Sequence, residues 1–483
     1  MNPSAATSSP VQGRGPSRPL HAPAKLHAPA LEEVHDLLSV GFGPASLAVA
    51  IALSDSLQQA QAEVGQVANV PRVRFLEKQR SFKWHSGMLL PGAKMQISFI
   101  KDLATLRDPR SYFTFLNYLK EHDRLVSFTN LSTFLPSRLE FDDYLQWAAR
   151  HFDNVVEYGQ QVESIRPHKL GGQRRKYDCF EVVSRNLATG ETTSFLTRNV
   201  IIAAGGTPVI PAIFKGYGDR ALHSSEYLTK IERVLPDKAT PYSIAVVGSG
   251  QSGAEVFNDL HSRYPNATTR LIFRDTALRP SDDSPFVNEV FNPDAIDTFF
   301  EATMDVRNYS LNKNRATNYS VVRLELIEKI YDELYLQGIK EPDPVRWQHR
   351  LLSARKIVGV GEDEAKTQLR LMMLSSDPSR KRPQEILSFD CVVLATGYRR
   401  DSHIAMLKGC QPINAEPTGQ WQPGRDYGLK LNRETVAEGT GIWLQGCNEK
   451  THGLSDSLLS VLSTRSAELV ESIFGKNFNL GSR

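Results

Sequence analysis

Two glycine-rich turns, each set between a short apolar run and a helical pattern, constrain this chain more than any other feature. Val34 to Val40 (VHDLLSV) leads into Gly41-Phe42-Gly43-Pro44-Ala45-Ser46 and then LAVAIALSDSL. Ser243 to Val247 leads into Gly248-Ser249-Gly250-Gln251-Ser252-Gly253 and then AEVFNDLHSRY. Strand, glycine turn and helix in that order build a pyrophosphate cradle: the glycines let the backbone turn sharply and approach the anion, and free N–H groups at the helix N-terminus hold its charge. The second unit completes the glycine spacing, whereas the first has Ser46 in place of the third glycine. Two such units in 483 residues predict an α/β fold of two Rossmann-like dinucleotide-binding domains with a smaller substrate-binding region.

The strand after each unit says which nucleotide it suits. Val73-Arg74-Phe75-Leu76-Glu77 ends in an acid able to accept hydrogen bonds from a ribose, but later than the usual spacing of about 20 residues. That delay calls for a long first helix or an inserted loop around 61–71. Leu271-Ile272-Phe273 ends instead in Arg274, and an arginine can pair with the 2′-phosphate of NADP where a carboxylate would repel it. This favours NADPH over NADH, tempered by Asp275 beside it.

Two related segments, Val200 to Pro208 and Cys391 to Tyr398, each read as a buried strand stopped by a glycine turn. They predict crossovers between a discontinuous FAD-binding domain, 35–207 completed by 395–475 with the substrate region, and an NADPH-binding domain at 208–394. Residues 280–345 form an insert whose VVRLELIEKIYDELYLQGI pattern is an amphipathic helix suited to domain or subunit packing. Residues 1–33, rich in Pro, Ala and Ser with HAPA repeated, read as a flexible tail, since the prolines would break the helix of a transit peptide. Residues 476–483 are a short C-terminal tail.

Bulk properties narrow the function. Lys+Arg 57 against Asp+Glu 54 gives +3 with dispersed charges, so neither nucleic acid nor an anionic membrane is expected as a partner. No run approaches the roughly 18 apolar residues of a membrane span. Cys179, Cys391, Cys410 and Cys447 are far apart, which removes the dithiol of a disulfide reductase and suggests reduced thiols in a cytoplasmic protein. The 12 histidines form no metal-ligand cluster, so no metal is expected. Two facing dinucleotide sites argue for hydride transfer from nicotinamide to flavin. Beyond that the electrons could pass to oxygen, a quinone or another protein.

Further motifs carry a resemblance. Trp84-His85-Ser86-Gly87-Met88 is followed by Lys94-Met95-Gln96-Ile97-Ser98-Phe99-Ile100-Lys101-Asp102-Leu103, then by Asp108-Pro109-Arg110-Ser111-Tyr112-Phe113-Thr114-Phe115. With Gly41 to Ala45, Ala395-Thr396-Gly397-Tyr398 and Thr451-His452-Gly453-Leu454-Ser455-Asp456, the chain from about 35 to 475 resembles the siderophore-pathway N-hydroxylating flavin monooxygenases, most nearly their fungal ornithine-hydroxylating members. The resemblance implies FAD- and NADPH-dependent N5-hydroxylation of L-ornithine by O2 through a C4a-hydroperoxyflavin, as the first step of hydroxamate siderophore synthesis, often in a homotetramer. Lysine or a diamine is an alternative substrate within the same chemistry.

It also implies site residues. Lys101 would bind the ornithine carboxylate, Asn288 the amino-acid head group, Asn318 both substrate and nicotinamide ribose, and Ser460 the substrate, with Lys101 and Asn318 closest to catalysis. Gly41, Gly43, Pro44, Ala45, Glu77, Lys78, Trp84, His85, Lys94, Met95 and Gln96 would hold FAD, with Met95 covering the ring. Gly248, Ser249, Gly250, Gln251, Ser252, Arg274 and Asn318 would hold NADPH. Flavin-containing and Baeyer-Villiger monooxygenases are a sister reading, partly matched by Phe214-Lys215-Gly216, His223 and Tyr227.

Overall fold

The first glycine unit seeds a sheet of seven strands in this computed structural model, which describes residues 23–65, 70–171, 175–377, 379 and 383–475. His35–Val40 lies at its centre, paired in parallel with Val73–Glu77 on one side and Thr192–Ile202 on the other. Val156–Tyr158 extends the sheet beyond Val73–Glu77, and Gly441–Leu444 pairs in parallel with the C-terminal half of Thr192–Ile202. The N-terminal half of that long strand pairs antiparallel with Cys179–Asn186, which pairs with Gln160–His168. The sequence of Thr192–Ile202 matches this division. Its first half alternates in burial, while Asn199 to Ile202 are all buried, as a parallel segment covered on both faces must be.

Pro44–Val64 is a 21-residue helix, and its length accounts for the late arrival of Glu77. It packs on Leu462–Phe474 from the far end of the chain, and together with Arg138–Arg150 they enclose a core that includes Leu47, Leu53, Phe75, Phe141 and Leu469. Full burial of each such side chain contributes about 1.5–3 kcal/mol.

The second sheet is wholly parallel, in the order His349–Leu352, Thr268–Ile272, Ser243–Val247, Cys391–Leu394 and Ala221–His223. Helix Gln251–Arg263 covers one face, with Val256, Phe257 and Leu260 in its core. The other face is covered by an antiparallel layer, Arg355–Glu362, Leu369–Ser375 and Glu385–Phe389, which no motif in the sequence foretold. The α/β expectation with two dinucleotide folds is met. The two crossover segments join directly: Thr207–Pro208 and Tyr398–Arg399 form an antiparallel pair, and Gly206 lies where a Cβ would be 2.7 Å from the Tyr398 Cβ.

Three expectations change in detail. Residues 23–33 do not behave as a free tail: Leu26 is buried, Ser54 Oγ donates to Ala24 O at 2.8 Å, and His27 bridges to Arg72. The remainder of the expected N-terminal tail, 1–22, and the C-terminal tail, 476–483, lie outside the described residues. The insert helix spans Leu324–Lys340, because Val322 is drawn into a bridge with Pro280 instead of continuing the helix backwards. The strand before Arg274 ends at Ile272, so Phe273 and Arg274 lie just past the sheet.

Candidate active site

The glycines of the first cradle do different jobs. Gly41, at φ +89°, approaches the end of Thr192–Ile202 so closely that a Cβ would lie 2.6 Å from the Ala203 carbonyl oxygen. Gly43 caps Pro44–Val64 with extended backbone, no side chain occupies its cap, and the space beside its Cα is open. Pro44 starts the helix and lacks an N–H, and no side chain caps the free donors that follow. Glu77, 6% exposed, ties the turn to the next strand: Oε2 accepts the Phe42 N–H at 2.7 Å and Oε1 the Gln79 N–H at 2.8 Å. Each oxygen keeps a second acceptor position for a ribose hydroxyl. Lys78 beside it is exposed.

The second cradle repeats this construction. A Cβ on Gly248, at φ +133°, would lie 2.3 Å from the Ala395 carbonyl oxygen, and one on Gly253 would lie 2.3 Å from the Gly248 carbonyl oxygen. Gly250 caps Gln251–Arg263 with no side-chain cap, and Ser249 and Ser252 flank it. The turn carrying Asn318 lies against this cradle, since a Cβ on Gly250 would be 3.6 Å from the Ser320 Cα. Arg274 is exposed and has no ion pair among the described residues, while the neighbouring Asp275 carboxylate is held by Arg279 at 3.1 Å and by the Thr276 N–H at 2.5 Å. Asp275 therefore leaves the Arg274 charge free.

Between the cradles runs the Trp84–Met88 segment. Gly87 passes under Ser225 of the second unit, His85 adopts a left-handed conformation at φ +46°, and its ring meets the edges of Trp84 and Tyr398. Desolvation in the cleft, with the charges of Arg138 and Arg400 near, lowers the His85 pKa to about 4 although part of the residue meets solvent. The imidazole is thus neutral at pH 7. Lys94 and Gln96 are exposed on one side of an extended stretch, and Met95, on the other, is 4% exposed in the first core. Met95, expected over the flavin ring, packs most of its side chain into that core.

The expected substrate residues differ in how far they are committed. Lys101 is half-buried without an ion pair among the described residues. The loop that carries it is fastened by Asp102, 1% exposed, whose carboxylate accepts from Ala104 N at 2.9 Å, Thr105 N at 2.6 Å, Thr105 Oγ1 at 2.7 Å and Phe115 N at 2.7 Å. Asn318 is half-buried and its side-chain amide makes no hydrogen bond among the described residues, whereas its neighbour Tyr319 donates to the Glu449 carboxylate. Asn288 uses its amide nitrogen locally, donating to Asp283 O at 2.7 Å. Ser460 is 3% exposed with an unpartnered hydroxyl. A largely apolar cavity of about 420 Å³ lies between residues 289–311 and the His452–Ser455 turn, and Lys101, Asn288, Asn318 and Ser460 are not among its lining residues.

A family model for L-lysine 6-monooxygenase/L-ornithine 5-monooxygenase matches residues 33–400, which takes in both cradles and every motif between them. The chain belongs to this monooxygenase family.

Relatives of this monooxygenase extend over nearly the whole chain. It is 52% identical to an L-ornithine N(5)-monooxygenase of Emericella nidulans, over 94% of this chain and 92% of that protein, and 52% identical to one of Aspergillus oryzae, over 94% and 91%. Among solved structures, the ornithine hydroxylase PvdA from Pseudomonas aeruginosa superimposes with a TM-score of 0.81 at 38% identity, covering 91% of this chain and 99% of that one. The ornithine N-hydroxylase KtzI of Kutzneria sp. 744, described with reduced FAD, NADP+ and L-ornithine, gives 0.80 at 34% identity, covering 91% and 99%.

The monooxygenase also joins Gln251 to two residues the sequence did not single out, Glu255 and Arg138. Gln251, expected at NADPH, has both ends of its amide engaged: Nε2 donates to Glu255 at 2.7 Å and Oε1 accepts the Arg323 N–H at 2.9 Å. Glu255 in turn receives Arg138. The i,i+4 spacing of Gln251 and Glu255 was a usable signal; nothing local links either to Arg138. His223, counted toward the sister class, is 1% exposed and occupied by the Gly397 carbonyl at 3.1 Å and Ser225 Oγ at 3.0 Å, a structural use. Among the described residues no group of three or more His, Cys, Asp or Glu could hold a metal ion, and no helix is long and apolar enough to cross a membrane.

Proposed function

We propose that this monooxygenase binds FAD at the first cradle and NADPH at the second and uses O2 to hydroxylate the side-chain nitrogen of L-ornithine, ahead of hydroxamate siderophore assembly. The observation that carries the reading is the repeated cradle. Each has an uncapped helix N-terminus with a glycine pressed on a crossover-strand alanine, Ala203 or Ala395, and the chain is 52% identical over nearly its whole length to two ornithine monooxygenases.

The residues fit the two nucleotides. Gly41, Gly43, Pro44 and Ala45 leave room and donors for one pyrophosphate, and Gly248, Ser249, Gly250 and Ser252 for the other. Glu77 offers ribose acceptors, and the unpaired Arg274 guanidinium suits a 2′-phosphate. Bound together, flavin and nicotinamide supply hydride transfer and dioxygen activation. The chain supplies position and charge. Neutral His85, with Trp84, Lys94 and Gln96, lines the flavin side and adds no second cation there. Lys101, free of any acid of its own, pairs with the substrate carboxylate, and the unengaged Asn318 amide reaches substrate and ribose. Asn288 retains its amide oxygen for the substrate ammonium, and Ser460 brings an unpartnered hydroxyl. An unperturbed alkylammonium has a pKa near 10.4, so hydroxylation requires a pocket that favours the free amine.

In this reading residues 35–207 and 395–475 form the flavin domain around a nicotinamide domain at 208–394, supported by Gly441–Leu444 lying in the first sheet and Cys391–Leu394 in the second. A homotetramer is supported by the exposed apolar stripe Tyr331, Tyr335, Leu336 and Ile339 on the insert helix. A cytoplasmic location is supported by four free cysteines.

The deciding experiment supplies purified, FAD-loaded protein with NADPH and either ornithine or lysine, and measures hydroxylamine and hydrogen peroxide. Ornithine is expected to give hydroxylated product in step with NADPH consumed, with lysine at least about tenfold poorer, since one methylene is worth roughly 1–3 kcal/mol in a pocket. NADPH oxidation that yields only peroxide with both amino acids would overturn the reading.

A further inference from the structure

A buried ion pair joins the two nucleotide units, and neither partner belongs to a cradle motif. Arg138, at the start of helix Arg138–Arg150, forms a bidentate pair with Glu255 of helix Gln251–Arg263: Nη1 to Oε2 at 2.7 Å and Nη2 to Oε1 at 2.8 Å, with the side chains 15% and 8% exposed. Each partner is anchored in its own unit. The Arg138 N–H donates to Ala93 O at 2.9 Å, and Nη1 also reaches Met88 O at 3.4 Å, so Arg138 holds both ends of the stretch between Met88 and Lys94. Glu255 Oε1 also accepts from Gln251, whose amide oxygen fixes the Arg323 N–H, five positions after Asn318.

We propose that Glu255 is a positioning residue for hydride transfer. It ties the segment that lines the flavin, the first turn of the nicotinamide helix and the Asn318 turn into one network, and so fixes the distance between the two ring systems. The inference rests on the FAD and NADPH reading above. Its physical basis is that a buried ion pair adds little net stability compared with well-packed apolar residues, while a bidentate arginine–carboxylate fork fixes both the distance and the orientation of its partners. Transfer between two bound groups responds steeply to geometry, a displacement of about 1 Å costing on the order of a hundredfold.

The test compares wild type, Glu255→Gln, Glu255→Asp and the charge-swapped Arg138→Glu/Glu255→Arg protein, each loaded with FAD and mixed anaerobically with saturating NADPH. Flavin bleaching is followed by stopped flow, with dithionite reduction and FAD content measured alongside. Glu255→Gln is expected to slow reduction by NADPH at least about tenfold, with FAD content within twofold of wild type and normal reduction by dithionite, which needs no nicotinamide geometry. The charge-swapped protein is expected to recover part of the rate. Amide exchange over residues 88–95 and 320–324 is expected to quicken in Glu255→Gln even without nucleotides.

Reduction within twofold of wild type in FAD-loaded Glu255→Gln would overturn the proposal. If that variant does not hold FAD, Glu255→Asp is read in its place, and an unchanged rate there has the same force. A wild-type flavin that NADPH does not reduce would sink the functional reading itself, which is a separate outcome.

Discussion

Gly87 crosses Ser225 so tightly that a Cβ added to the glycine would sit 1.9 Å from the serine carbonyl oxygen and 2.8 Å from the next backbone nitrogen. Both obstacles are backbone, so no side chain can swing aside. Gly87→Ala is expected to force the Trp84–Met88 segment away from the second unit, costing about 1–3 kcal/mol as overpacking does. Thermal denaturation should show a lower Tm and the purified protein a lower FAD content. Gly361→Ala, with no atom within 4 Å of its added Cβ and no positive φ, is the control expected to stay near wild type.

Glu77 links the first glycine turn to the strand end through charged hydrogen bonds to the Phe42 and Gln79 N–H groups. Glu77→Gln replaces one accepting oxygen with a donor facing an N–H. Hydrogen bonds to charged groups are worth about 1.5–3 kcal/mol, so the flavin dissociation constant should rise about tenfold or more, read by titrating apoprotein with FAD. An unchanged constant would mean that the cradle holds its shape without this carboxylate.

Under the proposed reading Arg274 sets the preference for NADPH over NADH, its charge left free because Arg279 occupies Asp275. Arg274→Ser should raise KM for NADPH by about 10–100-fold and leave KM for NADH within a few-fold, as expected when one charged contact of about 1.5–3 kcal/mol is lost. Equal loss with both coenzymes would assign the arginine to folding.

His349 stacks on His261 with ring centroids 3.6 Å apart, and Thr269 Oγ1 lies 2.8 Å from its Nδ1. Burial first, then the His261 and Arg270 charges, lower its pKa to about 3, against an opposing contribution from Glu333. The unfolded chain takes up this proton near pH 6.5, whereas the folded chain resists it down to about 3. The stabilising contribution is therefore complete above about 6.5 and declines as pH falls through that window. His349→Gln should flatten the acid limb of a urea midpoint against pH profile; an unaltered limb would place the acid sensitivity elsewhere.

Sequence order alone determined the two cradles. The strands His35–Val40 and Ser243–Val247, the turns after them and the helices they open are local, because a glycine turn needs only its own backbone and the helix behind it. The same locality placed Glu77 at the end of its strand and Arg274 just past the end of Thr268–Ile272. The direct pairing of Tyr398 with Pro208, the contact of Gly87 with Ser225 and the ion pair of Arg138 with Glu255 were decided by tertiary structure. Each joins residues more than a hundred positions apart, and no periodicity or spacing in one segment records which other segment will cover it. At Met95 the motif pointed to the flavin, and only the tertiary structure adds that Pro136 O holds its N–H across the gap and that most of its side chain packs into the first core.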